Sequence, residues 1–222
     1  MKSLIVILSS TLLFGELINP ENGSDLKSIH IRFEWEQEPD AVSYNLQVLR
    51  DDFFNTTILD IVEESTVYIE KDIIDWNSDY QWQVRPMYSS GEFGDWIGTS
   101  SFSTQQSILT DLDVDIYDDE FIGDELFMYS QFAPYFAVGV VDRFGNEIWN
   151  TQIAYMNHIN EYGQVYGVNG QGVQFNYNHE ILWETPEGTE IDSHEVKQIP
   201  NGNYMAFVPI YQQGPIPQGD WT

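Results

Sequence analysis

Short runs in which apolar and polar residues alternate dominate the first half of this chain, and no helical period of comparable length accompanies them. Phe33 and Trp35 fall on one face of such a run, as do Tyr44, Leu46 and Val48 in the next. Turn-forming residues separate the runs. The pattern predicts an all-β fold, with strands in "HIRFEWEQ", "SYNLQVLRD", "TVYIEKD", "DYQWQVRPMY" and "DWIGTSSFST".

A tyrosine near the start of one predicted strand indicates which all-β fold residues 23–105 adopt. In "DWNSDYQWQV", Trp76 stands four residues before Tyr80, as it would in a tyrosine corner. Together with "FEWEQEPDAVSYNLQV", these residues resemble a fibronectin type III domain, the cysteine-free β-sandwich. The resemblance implies a spacer or binding module without chemistry of its own. Trp35 and Tyr80 are expected in its core.

The chain begins with one lysine and an apolar run, "MKSLIVILSSTLLFG", which is too short for a stable membrane anchor. This is typical of a signal peptide, expected over residues 1–22 with cleavage between Gly15 and Asn22. The alternative is a buried strand at the start of the mature protein. A signal peptide predicts a periplasmic, secreted or cell-surface protein, and no later segment is long and apolar enough for a membrane span.

Composition excludes several classes of partner and site. The 222-residue chain has 36 acidic and 8 basic residues, a formal charge of −28. Such a surface repels phosphate backbones and anionic lipids, so we expect no nucleic-acid partner and no binding to an anionic membrane. Cysteine is absent, which excludes disulfides, thiolate zinc sites and a cysteine nucleophile.

Residues 106–125 are predicted to be an acidic connector between two domains. Asp111, Asp113 and Asp115 suggest a calcium loop, but the glycine and glutamate that an EF-hand requires later in the loop are missing. Leu112, Val114 and Ile116 alternate with the aspartates, which favours a strand with one solvated face.

Residues 126–222 contain a repeat. "VVDRFGNEIWNT" and "FNYNHEILWET" each comprise a strand, a polar turn and a strand closing on tryptophan, Trp149 and Trp183. A histidine follows each copy, His158 in "MNHINEYGQVYGV" and His194 in "DSHEVKQIPNGNYMAF". Repeats of this kind indicate propeller blades or a β-solenoid. Two copies cannot close a propeller, so we expect the chain to be a piece of a longer protein.

Within the repeat, "DELFMYSQF", "VVDRFGNEIW" and "ILWETPEGTEIDSHEVKQIPNGNYMAF" resemble the bacterial arylsulfotransferase family over residues 124–209. The resemblance implies a truncated β-propeller whose central channel uses histidines to transfer a sulfuryl group. An aryl sulfate is the implied donor and a phenol the implied acceptor. The resemblance implies no nucleotide sulfate donor, no cofactor and no metal.

The resemblance makes His194 the first candidate catalytic residue, because it matches the family's histidine before the Asn-Gly turn. The alternative is a polar residue at the start of a strand, bonded to backbone. His158 is the second candidate, although its copy lacks the Pro-Asn-Gly sequence. His179 occupies the turn position of Gly145 and is expected to be exposed, and His30 belongs to the predicted sandwich, to which no chemistry is assigned.

Cations are scarce after residue 105, where only Arg143 and Lys197 occur. The resemblance implies that the sulfuryl-carrying histidine and its arginine partner lie in later blades, so we expect both beyond Thr222 and the 222-residue chain alone to be inactive. A second hypothesis is a non-catalytic secreted protein that binds carbohydrate or protein. The donor, the acceptor and the oligomeric state stay open at the sequence level.

Overall fold

The structure is a computed structural model in which residues 15–109, 114, 118, 120, 123–211, 213 and 214 are described. The chain divides into two compact units, Met1–Ser107 and Ile108–Thr222. Every helix or strand assigned among the described residues is a β-strand, which confirms the all-β class. None of the described residues forms a helix long and apolar enough to cross a membrane. Residues 1–14 of the predicted signal peptide lie outside the described residues.

The first unit contains two sheets. One has the strand order β1-β3-β6 and the other the order β2-β8-β7-β4-β5. Strand β2 pairs with β8 in parallel, whereas the other neighbours are antiparallel. The strands are β1 (Leu17–Asn19), β2 (Ser24–Leu26), β3 (Ile31–Trp35), β4 (Ala41–Arg50), β5 (Thr56–Glu63), β6 (Val67–Glu70), β7 (Asp79–Tyr88) and β8 (Thr99–Thr104).

An aromatic core joins the two sheets of the first unit. The ring of Phe33 in β3 lies 5.2 Å from that of Trp82 in β7, edge to face. In the same geometry, Trp35 lies 5.5 Å from Tyr44 in β4. Such edge-to-face contacts add to the free energy of burying the rings. The predicted inward faces of β3 and β4 are confirmed, because all of their apolar members are buried: Phe33, Trp35, Tyr44, Leu46 and Val48.

Tyr80 forms the predicted corner at the start of β7. It is buried, and its hydroxyl accepts a hydrogen bond from the Asp75 amide at 2.8 Å. Trp76 is only half-buried. The first unit also begins earlier than the sequence indicated: β1 starts at Leu17 and pairs with β3, upstream of the boundary expected at residue 23. Cleavage at Asn22 would remove this strand, whereas cleavage at Gly15 would leave it.

In the described part of the second unit, three antiparallel sheets follow one another along the chain. Their strand orders are β11-β10-β9, β12-β13-β14-β15 and β16-β17. The strands are β9 (Phe127–Gln131), β10 (Ala137–Val141), β11 (Glu147–Thr151), β12 (Tyr155–Ile159), β13 (Val165–Val168), β14 (Gly172–Phe175), β15 (Ile181–Glu184), β16 (Val196–Gln198) and β17 (Tyr204–Ala206). Both predicted strand–turn–strand copies are present, as β10–β11 and β14–β15.

The acidic connector is described only in part. The amides of Ile108 and Leu109 donate to the buried carboxylate of Glu147 at 3.3 and 2.8 Å, so the start of the predicted connector belongs to the second unit. Val114 is exposed and lies in no strand. The other members of the predicted alternation, Leu112 and Ile116, lie outside the described residues, as do Asp111, Asp113 and Asp115.

Four hairpins of the second unit share one five-residue turn. In each, the first amide donates to the last carbonyl, and the fourth amide donates to the first carbonyl. The fourth residue has a positive φ, which favours glycine. This position is held by Gly145 (85°), Gly163 (72°), His179 (66°) and Gly202 (85°). The turns are 142–146, 160–164, 176–180 and 199–203. The shared geometry fixes which residues of successive hairpins correspond.

Candidate functional site

His194 lies at the apex of a short bulge before β16. On one side of the bulge the Asp192 amide donates to the Phe207 carbonyl at 2.9 Å, and on the other Val196 pairs with Ala206. Residues 193–195 therefore project from the ladder between these two backbone pairs. The His194 side chain is 80% exposed. The backbone thus presents the imidazole to solvent, where a ligand could reach it.

The carboxylate of Asp192 holds the His194 ring. Asp192 Oδ1 accepts the His194 amide at 3.0 Å and also contacts the ring Nδ1. The hydrogen bond from His194 lowers the pKa of Asp192 below its ordinary value, so the carboxylate stays ionised. Because an ionised carboxylate can only accept, Nδ1 carries the proton. Nε2 of the neutral ring is therefore a base, and Nε2–H of the protonated ring is a donor.

His158 lies in β12, opposite Tyr166 of β13, and is exposed. Its ring lies 5.8 Å from the Tyr166 ring. The neighbouring Asn157 donates from Nδ2 to the Ser193 carbonyl at 2.7 Å. Since Asn157 and Ser193 each immediately precede a histidine, this bond brings the two candidate segments side by side.

The sequence suggested that His158 and His194 occupy equivalent positions of the two repeat copies, and the structure shows a different alignment of these copies. Counted back from the shared turns, His158 stands two residues before Asn160, and Lys197 stands two residues before Ile199. By the same count His194 corresponds to Tyr155. The segments that carry His158 and His194 therefore lie side by side, but the two histidines are not equivalent residues of the repeat. The extra residues of the bulge cause this shift.

The two cations of the second unit are each paired with a carboxylate. Arg143 Nη1 lies 3.1 Å from Asp124 Oδ1. Lys197 contacts Glu195. Because each cation already has a carboxylate neighbour, neither is a ready clamp for sulfuryl oxygens. Among the described residues, no cluster of three or more histidine or carboxylate side chains is suited to hold a metal ion.

His179 departs from the sequence expectation. It does occupy the turn position of Gly145, with a φ of 66°. Its ring, however, is only half-exposed: it stacks on Trp149 at 5.2 Å, and its Nε2 lies 2.9 Å from the Asn150 carbonyl. The exposed position predicted for His179 is therefore wrong, because the turn folds back onto β11. His30 belongs to the first unit, where its amide donates to Ser28 Oγ at 3.1 Å.

Sequence reasoning missed Asp192 and Asn157. Asp192 could have been found, because the "DSH" spacing lets a carboxylate reach the amide and ring two residues later. Asn157 could not, since its partner Ser193 is 36 residues away. Comparison of the chain with protein-family models and with curated proteins gives no match.

Proposed function

We propose that this protein is an extracytoplasmic sulfotransferase that moves a sulfuryl group from an aryl sulfate to a phenol. The observation that supports it best is the Asp192–His194 pair, exposed beside the segment that carries His158. Placement outside the cytoplasm rests on the predicted signal peptide.

The architecture we propose is a fibronectin type III-like sandwich followed by blades of a β-propeller. Two facing sheets of orders β1-β3-β6 and β2-β8-β7-β4-β5 support the sandwich. The meander β12-β13-β14-β15, four consecutive antiparallel strands, supports a blade. In such a propeller the first strand of each blade borders the central channel. This arrangement would direct β12 and the bulge before β16, with their histidines, toward the channel.

In the proposed reaction a nucleophile attacks the sulfur of the aryl sulfate, and the bond from sulfur to the phenolic oxygen breaks. His194, protonated on Nε2, gives its proton to the departing phenolate. The acceptor phenol then loses its proton to Nε2 while its oxygen attacks the sulfur, and the bond between the sulfur and the nucleophile breaks, which regenerates the nucleophile. Asp192 keeps Nδ1 protonated throughout, which leaves Nε2 as the atom that gains and loses the proton.

The sulfuryl oxygens also require positive charge. Lys197 and Arg143 are already paired with carboxylates, so we assign the nucleophile and its arginine to residues other than the described ones. His158 has the smaller role of lining the site beside His194.

The test is sulfuryl transfer by protein made from the complete reading frame, with an aryl sulfate donor and a phenol acceptor. His194→Ala should lower the rate by roughly 10²–10⁴-fold, the usual contribution of a general acid or base. Asp192→Asn should lower it less and shift its pH profile, and His158→Ala should have a smaller effect than His194→Ala. Full activity of purified His194→Ala would refute the role proposed for His194.

A second candidate function is ligand binding without catalysis. It is favoured by an aromatic cluster at the β9–β10 hairpin, where the exposed ring of Phe132 lies 5.1 Å from half-buried Phe136 and 5.5 Å from half-buried Tyr155. A partly exposed aromatic cluster of this kind suits a sugar or an aromatic ligand. Loss of glycan binding in Phe132→Ala, in a protein that shows no sulfuryl transfer, would favour this candidate.

A further inference from the structure

The hairpin between β4 and β5 displays two phenylalanine side chains at its tip. Phe53 is 94% exposed and Phe54 81% exposed. Their rings lie 5.1 Å apart at an interplanar angle of 90°. No packing against the core of the first unit accounts for this pair, because both rings stand almost wholly in solvent. Exposed adjacent aromatic residues of this kind mark interaction sites.

The turn holds the pair in place. The Asp52 carboxylate accepts hydrogen bonds from the Phe54 amide at 2.9 Å, the Thr56 amide at 3.2 Å and the Thr56 hydroxyl at 2.9 Å. The Asn55 amide donates to the Asp52 carbonyl at 3.1 Å. Asn55 adopts a φ of 49°, a conformation that asparagine tolerates better than most residues. The two rings are therefore presented by an ordered turn.

The base of this tip is acidic. Asp51 and Asp79 are exposed and joined through a backbone hydrogen bond of 2.8 Å. The nearby cation, Arg50, is paired with Asp75. Such carboxylates repel an anionic lipid surface and attract a cationic group. Aromatic faces also bind quaternary ammonium groups well.

We propose that Phe53 and Phe54 dock this protein on a zwitterionic membrane whose lipid headgroups end in a quaternary ammonium group, as in phosphatidylcholine. The rings enter the boundary between headgroups and acyl chains, and the carboxylates of Asp51 and Asp79 lie at the level of the ammonium groups. Because Phe53 and Phe54 are almost wholly exposed, the tip does not enclose a ligand. A bilayer, which supplies the apolar surroundings itself, therefore fits it better than a free choline compound. This inference is independent of the proposed sulfuryl transfer.

The absence of cysteine allows a local test in the full chain. Thr57→Cys, close to the tip in β5, is labelled with an environment-sensitive fluorophore and mixed with phosphatidylcholine vesicles. Its emission should rise and shift to the blue, whereas the same label at Val62→Cys, toward the other end of β5, should not respond. When Phe53→Ser and Phe54→Ser are added, the lipid concentration that gives a half-maximal response at residue 57 should rise by about 100-fold. The reason is that binding no longer transfers two apolar rings from water into the bilayer.

Two controls make the result specific. Phe144→Ser removes a hairpin phenylalanine of the second unit that is 59% exposed and should leave the response unchanged. Phosphatidylglycerol vesicles should give a weaker response than phosphatidylcholine. The proposal is overturned if residue 57 does not respond, if the double serine variant responds like the parent, or if anionic vesicles or free choline give the stronger signal.

Discussion

At the scale of single residues, Trp35 contributes strongly to the stability of the first unit. It is 1% exposed, and its ring packs against Tyr44. Trp35→Ala should lower the free energy of unfolding by about 3–5 kcal/mol, the usual cost of removing a buried aromatic ring. Trp35→Phe should cost less, because it keeps a ring and removes an indole N–H that is buried without a hydrogen-bond partner. Denaturant unfolding measures both, and an unchanged midpoint for Trp35→Ala would contradict its place in the core.

Tyr68 should make stability depend on pH in the alkaline range. Burial, followed by the charge and hydrogen bond of Glu70, raises the pKa of Tyr68 to about 12. Its hydroxyl donates to Glu70 Oε2 at 3.1 Å. Because the unfolded tyrosine titrates near 10, the stabilisation is complete below about pH 10 and is lost as the pH rises through about 12.

The measurement for Tyr68 is the slope of unfolding free energy against pH between about 9 and 11, compared with Tyr68→Phe. The parent should lose stability more steeply than the variant, which has no proton to release. Other tyrosines with raised pKa values, such as Tyr44 and Tyr129, contribute equally to both proteins. Equal slopes would show that Tyr68 does not titrate as described.

At the scale of elements, the sequence predicted strands where alternation was strong. The two faces of β3 and β4 differ sharply, since one is buried in the core, so a period of two was visible. β1 and β2 have three residues each, too few for a period. β5 is an edge strand with no fully buried residue, so its apolar residues show little contrast.

The candidate site was predictable only in its local part. His194 was visible through its position before the Asn-Gly turn, and its partner Asp192 lies within the same tripeptide. The placement of the His158 segment beside the His194 segment depends on the bond from Asn157 to Ser193, a long-range contact between β12 and the bulge before β16. The ring position of His179 depends in the same way on Trp149 of another strand. Periodicity within one segment carries no information on such contacts.

The shared turn of the second unit leads to a prediction at the same scale. Asp142 Oδ1 accepts the amides of Phe144 and Asn146 at 2.8 and 2.9 Å, and its Oδ2 accepts from Asn146 Nδ2 at 2.8 Å. Asp142→Ala removes these acceptors and should cost about 1–2 kcal/mol. Asp142→Asn should be milder, because Asn160 caps the amides of the next hairpin with its own Oδ1.

The measurement for Asp142 is thermal unfolding of the full chain together with exchange of the Phe144 and Asn146 amide protons. Faster exchange is expected at both amides in Asp142→Ala and at neither amide in a matched Asp118→Ala variant. Unchanged exchange in Asp142→Ala would mean that the backbone alone sets the turn.

At the scale of the whole molecule, the formal charge of −28 opposes folding, and the two units differ in the apolar core that stabilises each of them. Like charges repel one another in the compact state, an effect that salt reduces within a Debye length of about 8 Å at physiological ionic strength. The first unit offsets this repulsion with one continuous aromatic core. The second consists of successive small sheets, and several large apolar side chains near its last strand stand in solvent.

Those apolar side chains suggest that the second unit is not a stable monomer by itself. Phe207, Val208, Ile210 and Tyr211 are 56%, 58%, 91% and 79% exposed, and within the described residues β17 has a strand neighbour on one side only. Residues 108–222 expressed alone should therefore self-associate with rising concentration and give broad amide signals, because an open strand edge beside apolar surface pairs with further copies.

Light scattering across a concentration series tests this behaviour. Replacing Ile210 and Tyr211 with serine should shift the association of residues 108–222 to higher concentration, since it removes the two most exposed of these side chains. Residues 15–107, which keep β1 and the whole aromatic core, should stay monomeric and melt cooperatively under the same conditions. A monomeric, cooperatively melting species of residues 108–222 would show that its three sheets need no cover over the β17 edge.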